Sequence, residues 1–151
     1  MFALVILAGC GSAHNWKANP VDFNKINIEK AIRKELNKPT GELTKSDLYK
    51  IRELSLGRYQ LTNVSALKQL QQLAWLDLYE NQLTDVTALG QLEQLKYLDL
   101  HGNQITDLSA LKELKQLSEL YLRDNPNLTK AQIEQFKKVL PNCSIDHNAV
   151  K

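Results

Sequence analysis

The sequence has few of the features that indicate a disulfide-stapled, nucleic-acid-binding or membrane-spanning protein. Its only two cysteines, Cys10 and Cys143, lie near opposite ends of the 151 residues, so a disulfide framework is not indicated. Lysine and arginine number 19 against 17 acidic residues and are dispersed, so there is no basic patch for a nucleic-acid backbone. The apolar run from Phe2 to Ala8 is far shorter than the roughly 20 residues that cross a bilayer.

The first twenty residues combine this short apolar run with a polar stretch. The run ends in Leu7-Ala8-Gly9-Cys10, and the chain turns polar from Gly11 onward. A signal-peptide core of about 7–15 apolar residues, followed by small residues, has the same layout. The tetrad resembles the lipobox of bacterial lipoproteins, which implies lipid attachment to the Cys10 thiol and cleavage before it. Several acyl chains anchor a protein more firmly than one.

Other interpretations of this leader stay open. No lysine or arginine precedes the apolar run, and nine residues is short for a signal peptide, as in a truncated leader. The segment FALVILA also suits a buried amino-terminal strand or helix. The tetrad ending at Cys10 and the Ser/Asn/Pro stretch behind it favour the lipoprotein. Because Gly11 stands where lipoproteins retained at the inner membrane carry Asp, the resemblance implies the outer membrane or the cell surface. If the leader is not a signal, the protein is cytoplasmic.

Four segments repeat at a strict period of 22 residues, starting at Ile51, Leu73, Leu95 and Leu117. A fixed period of 20–50 residues indicates a solenoid, because a single copy cannot bury both of its faces and must stack on its neighbours. The shared pattern is L-x-x-L-x-L-x-x-N-x-L. The first copy departs from it, since Tyr59 stands in the asparagine position, which predicts a looser turn and a more exposed tyrosine.

The spacing within a copy predicts the role of each residue that recurs between copies. Leu98 and Leu100 point to one side of an extended segment, because side chains alternate across a strand. Asn103 falls where the chain must turn, and its amide can pair with backbone groups that the turn leaves free. From Leu108 onward the apolar residues are three apart, which predicts a helical or 3₁₀ return segment.

The repeats, above all NQITDLSAL, resemble the leucine-rich repeats of the internalin type in bacterial proteins. The resemblance implies an α/β fold, a short leucine-rich-repeat solenoid with a curved parallel sheet on its concave face, helical or 3₁₀ segments on its convex face, and helical caps at both ends. It divides the chain into a leader over residues 1–9, the lipidated Cys10 with a tether over 10–20, an amino-terminal cap over 21–50, repeats over 51–123 and a carboxy-terminal cap over 124–151.

Both caps carry helix-start signals. Thr44 and Asp47 have capping-box spacing, and Thr129 is the predicted N-cap of a helix from about Lys130 to Val139.

The residues between the leucines of each strand should face outward onto the concave side. Four strands about 4.8 Å apart offer a platform of roughly 15–20 Å, which suits a loop, a short peptide or a glycan. Most aromatic residues of the repeats fall on it beside carboxylates, as in recognition surfaces. They could instead merely pair across strands, for a few tenths of a kcal/mol. The predicted ligand-binding residues are Glu53, Ser55, Trp75, Asp77, Tyr79, Tyr97, Asp99, His101, Glu119, Tyr121 and Arg123.

Patterns for catalysis are missing. The chain has no phosphate-cradling glycine loop, CxxC pair, HExxH or EF-hand motif. Cys143, Asp146 and His147 come closest to a reactive cluster, but the cysteine suits a small buried packing residue better. Asp77, Asp99 and His101 would lie on an open platform that excludes no water.

We therefore expect a non-enzymatic, monomeric binding module of the bacterial cell envelope, anchored through Cys10, without cofactor, metal or nucleic acid, which recognises a protein, peptide or glycan. Two alternatives of other classes are a structural or self-associating envelope protein without a dedicated ligand, and a cytoplasmic regulatory subunit.

Overall fold

The computed structural model describes residues 23–150. The predicted leader over 1–9 and the lipidated Cys10 with its tether over 10–20 lie outside the described residues. No helix within 23–150 has the length and apolar character to cross a membrane.

Helices stand at both ends of this range, and strands alternate with 3₁₀ segments between them. The helices are α1 (Phe23–Glu35), α2 (Lys45–Leu48) and α3 (Lys130–Val139). The strands are β1 (Glu53–Ser55), β2 (Trp75–Asp77), β3 (Tyr97–Asp99), β4 (Glu119–Tyr121) and β5 (Ser144–Asp146). The 3₁₀ segments are Ser65–Gln69, Thr87–Gln91 and Ser109–Glu113.

The five strands form one parallel sheet in the order in which they occur along the chain. Equivalent residues of successive copies lie side by side, as Trp75 does with Tyr97. The strand β5 pairs with β4 in the same way, with Glu119 opposite Ser144. The sequence analysis predicted four strands and missed β5, because α3 and a wider spacing separate it from the repeats.

Leucines of the pattern fill the core between the sheet and the 3₁₀ segments. Leu76, Leu98 and Leu120 are fully buried at the centres of their strands, and Leu111 and Leu114 are fully buried on the return segment. The alternation of the strands and the three-residue spacing of the return segments are therefore confirmed.

A ladder of buried asparagines ties each turn to the preceding copy. The amide nitrogen of Asn103 donates to the carbonyls of Leu78 and Leu100, both at 3.0 Å, and its Oδ1 accepts from the backbone N–H of Leu83 at 3.1 Å. Asn81 and Asn125 make the equivalent bonds one copy earlier and one copy later. The structural role predicted for the asparagine is confirmed.

The residue immediately before each of these asparagines, and before Tyr59 in the first copy, has a left-handed backbone conformation. Arg58, Glu80 and Asp124 all have positive φ, and Gly102 fills this position in the third copy, at φ 66. Only glycine adopts this conformation without steric cost, so the other three copies hold it through their surroundings. The sequence analysis had no signal for it.

The first turn is closed by the amino-terminal helix, since no earlier copy precedes it. Asn27 of α1 donates to the carbonyl of Tyr59 at 3.1 Å, and Asn24 accepts from the backbone N–H of Thr62 at 2.7 Å. Tyr59 itself is partly buried against the core. Tyr59 is more exposed than the buried asparagines of the later copies, as predicted, while α1 supplies the polar and apolar contacts that a preceding copy would give.

Both predicted helix starts are confirmed. Thr44 and Asp47 form a capping box at α2, and Thr129 forms one with Gln132 at α3. A hydrogen bond from Lys38 at 2.7 Å, with further bonds from Thr44, lowers the pKa of Asp47 below its usual range. Cys143 is buried behind α3.

Candidate functional site

The candidate site is the outward face of the sheet, where residues flanking each central leucine meet solvent. In β2, for example, Leu76 is buried while Trp75 and Asp77 are partly exposed. We call the outward positions of all five strands the concave face. Its members are Glu53, Ser55, Trp75, Asp77, Tyr97, Asp99, Glu119, Tyr121, Ser144 and Asp146.

Three aromatic rings on this face stack across three strands, and we call them the aromatic ladder. The rings of Trp75 and Tyr97 are nearly parallel, at 13° with centroids 5.0 Å apart, and Tyr121 continues the row at 5.3 Å and 42°. Burial and the nearby carboxylates raise the pKa of Tyr97 to about 12. The ladder is thus a rigid, uncharged surface that remains partly open to solvent.

Tyr79, which the sequence analysis placed among the ligand-binding residues, is engaged within the chain. Its ring lies against Gly57, where a Cβ atom would stand 2.0 Å from the ring carbon Cε1. The Arg58 guanidinium lies over the ring at 5.1 Å from its centroid and also forms a bidentate pair with Glu80, at 2.8 and 3.0 Å. Part of the Tyr79 ring is therefore covered by residues of its own chain.

Two of the predicted carboxylates, Asp77 and Asp99, also accept hydrogen bonds from the backbone just after their strands. Oδ1 of Asp77 accepts from the backbone N–H of Tyr79 at 3.0 Å, and Oδ2 accepts from the Ser55 hydroxyl at 2.9 Å. Oδ1 of Asp99 accepts from the backbone N–H of His101 at 2.8 Å. Burial, and repulsion from Asp77 among its neighbours, raise the pKa of Asp99. Both aspartates thus combine a structural bond with a place on the concave face.

One ion pair and two further polar contacts lie at the carboxy-terminal end of the face. Arg123 donates to both carboxylate oxygens of Asp146 at 2.8 Å, and Nε2 of His101 lies 3.4 Å from Oδ2 of Asp124. The Tyr121 hydroxyl donates to Glu119 at 3.1 Å. The sequence analysis had placed Asp146 beyond the repeats, although its position after an apolar Ile145 matches that of the aspartates after the central leucines of β2 and β3.

Two members of the cluster considered for catalysis, Cys143 and Asp146, are engaged within the fold. Cys143 is buried, and burial raises the pKa of its thiol to about 11, so little thiolate forms near neutral pH. Asp146 is held by Arg123 on the concave face. Between residues 23 and 150, no three His, Cys, Asp or Glu side chains gather in a group that could hold a metal ion.

A family model of leucine-rich repeats matches the chain at residues 71–113 and again at 93–138. Together with the parallel sheet and its 3₁₀ return segments, this match defines the molecule as a leucine-rich-repeat solenoid of the α/β class. Among curated proteins, none matches this sequence.

Several solved bacterial structures share the fold. An internalin C2 of Listeria monocytogenes is 25% identical with a TM-score of 0.71, over 89% of this chain and 62% of that one. An internalin, InlF, of the same organism is 23% identical with a TM-score of 0.70, over 91% and 49%. A leucine-rich-repeat protein of Leptospira interrogans is 33% identical with a TM-score of 0.60, over 69% and 28%. The chain thus spans less than two thirds of each of these proteins.

Proposed function

We propose that this protein is a non-enzymatic binding module of the bacterial cell envelope, which holds a protein, peptide or glycan partner on its concave face. The observation that carries the proposal is the aromatic ladder of Trp75, Tyr97 and Tyr121, stacked on the solvent side of the sheet. The core on the other side is already filled by leucines, so packing within the fold does not require these rings. Large exposed aromatics are the residues that most often dominate binding energy at interfaces.

The geometry of the face supports this proposal. Stacking fixes the rings, and backbone hydrogen bonds fix Asp77 and Asp99, so little side-chain freedom is lost when a partner binds. Five strands about 4.8 Å apart give a row of roughly 19 Å, the length of about six extended residues. A short segment or a small glycan fits this span better than a whole protein face.

The envelope location is part of the proposal and rests on the sequence, in which Leu7-Ala8-Gly9-Cys10 matches the lipobox pattern. The test is incorporation of radiolabelled palmitate in a bacterial host. We expect Cys10→Ala to abolish labelling and Cys143→Ala to leave it intact. Equal labelling of the wild type and Cys10→Ala would refute the anchor while leaving the concave-face proposal untouched.

The binding role is tested by capture from envelope extract on immobilised protein. Trp75→Ala/Tyr97→Ala should lose the partners that the wild type retains, while circular dichroism stays unchanged. Tyr49→Ala is the matched control, because Tyr49 is 58% exposed but lies away from the concave face, just after α2. Retention of the same partners by the double variant would show that they bind elsewhere.

A further inference from the structure

The concave face carries fixed charge of one sign. Its ten outward positions hold five carboxylates, three aromatic rings and two serines, but no lysine or arginine. The whole chain has a formal charge of +2, so the charge of this face is opposite in sign to that of the chain as a whole. The carboxylates are Glu53, Asp77, Asp99, Glu119 and Asp146.

The arginines beside the face neutralise only one of its five carboxylates, Asp146. Arg123 is paired with Asp146 at 2.8 Å, and Arg58 is paired with Glu80 at 2.8 Å. Glu53, at the other end of the face from Arg123, is exposed, and its carboxylate has no hydrogen bond or ion pair among the described residues. Glu53 is therefore an unpaired negative charge at the edge of the aromatic ladder.

The side of Trp75 opposite Tyr97 is directed toward the strand that carries that charge. Its stack with Tyr97, at 13°, occupies the face directed toward β3. The strand order β1, β2, β3 then directs the opposite face toward β1, where Glu53 stands in register with Trp75. Neighbouring strands lie about 4.8 Å apart, so the exposed Glu53 carboxylate stands directly beside the indole above β1 and β2.

We propose that the site formed by Glu53 and Trp75 binds an arginine side chain from an extended segment of a partner protein. A guanidinium is planar and weakly hydrated, so it stacks on an indole face while its N–H groups pair with a carboxylate. Neither an aromatic surface nor a lone carboxylate would select arginine by itself, whereas the two together do. The inference rests on the proposed function of the concave face and names the chemistry of its partner.

The rest of the face suits a basic segment as well. Burial and the neighbouring carboxylates Asp77 and Asp146 raise the pKa of Asp99, which shows that negative charges on this face repel one another. A cationic segment lying across the strands relieves this repulsion. Its association should slow and weaken as salt rises, because exposed charges are screened within about 10 Å at 0.1 M ionic strength.

The probe is the peptide acetyl-Gly-Arg-Gly-Arg-Gly-Arg-Gly-amide, with a citrulline peptide of the same length as its neutral isostere. The protein is the full chain carrying Trp16→Phe, so that Trp75 is the sole indole. We expect saturable quenching of Trp75 fluorescence by the arginine peptide, binding about tenfold weaker for the citrulline peptide, and binding about two- to fivefold weaker for Glu53→Gln. Glu93→Gln is the control, since Glu93 is an exposed carboxylate on the convex side.

Equal binding of the two peptides, or equal affinity of Glu53→Gln and Glu93→Gln by calorimetry, would overturn the arginine site. The capture experiment separates this failure from failure of the proposed function. If Trp75→Ala/Tyr97→Ala loses its partners while Glu53→Gln keeps them, the concave face binds a partner without arginine. If the double variant also keeps them, the concave-face function itself is wrong.

Discussion

Removal of the Asn103 amide should destabilise the fold more than any exposed substitution, because four backbone groups bond to it. Asn103 is 3% exposed, its amide nitrogen donates to the carbonyls of Leu78, Leu100 and, at 3.3 Å, His101, and its Oδ1 accepts from the N–H of Leu83. Each buried group left without a partner costs about 1–3 kcal/mol. Since carbonyls tolerate loss of one of two partners better than an N–H does, we expect Asn103→Ala to cost about 3–5 kcal/mol in total.

The assay is urea unfolding followed by circular dichroism, with Asn127→Ala as the control, because Asn127 is exposed. A loss of 3–5 kcal/mol is a large part of the roughly 5–15 kcal/mol that stabilises a domain. It should lower the melting temperature by about 10 °C. A loss no greater than that of the control would show that the asparagine ladder contributes nothing to stability.

The variant Asn103→Asp distinguishes the cost of the lost hydrogen bonds from the cost of a cavity left by a smaller side chain. An ionised carboxylate cannot donate to Leu78 or Leu100, and burial raises its pKa above the unfolded value of about 3.9. A raised folded-state pKa means that the stability is fully present below the unfolded pKa and is lost as pH rises through the folded pKa. The penalty relative to the wild type should therefore be smaller at pH 4 than at pH 7, whereas that of Asn103→Ala should not change. A pH-independent penalty would refute the hydrogen-bond account.

Three further predictions concern the neighbours of the site and the carboxy-terminal cap. Gly57→Ala should cost about 1–3 kcal/mol in chemical unfolding, because its Cβ atom would collide with the Tyr79 ring, and Tyr79→Ala in the same chain should relieve the cost; full additivity would contradict the contact. Thr129→Ala should cost about 1 kcal/mol through loss of the α3 capping box, and a smaller effect on the urea midpoint than that of an exposed Thr40→Ala would contradict it. In a chain carrying Cys10→Ala, Cys143, whose pKa burial raises to about 11, should react with a thiol reagent at pH 8 only after urea unfolding, and fast reaction of that native chain would show that Cys143 is open.

The sequence predicted those parts of the fold that repeat. The 22-residue spacing predicted β1 to β4, the buried leucines and the asparagine turns, because the same sequence pattern recurs in each copy. The strand β5 was not predicted, because it follows α3 in the chain and its distance from β4 differs from the 22-residue period of the repeats. The closure of the first turn by Asn24 and Asn27 was equally hidden, since it depends on how α1 packs and on no pattern within the helix.

The structure also shows which residues of the concave face can change toward a ligand without disturbing a turn. The sequence analysis could place Asp77 and Asp99 on the outward side, but only the structure shows that Oδ1 of each accepts a backbone N–H at the strand end. Replacing either aspartate therefore perturbs the turn as well as the face. Trp75 and Tyr97 contact each other, and Glu53 has no side-chain partner among the described residues, so none of the three bonds a turn. Changes in binding without loss of stability should accordingly concentrate at these three positions.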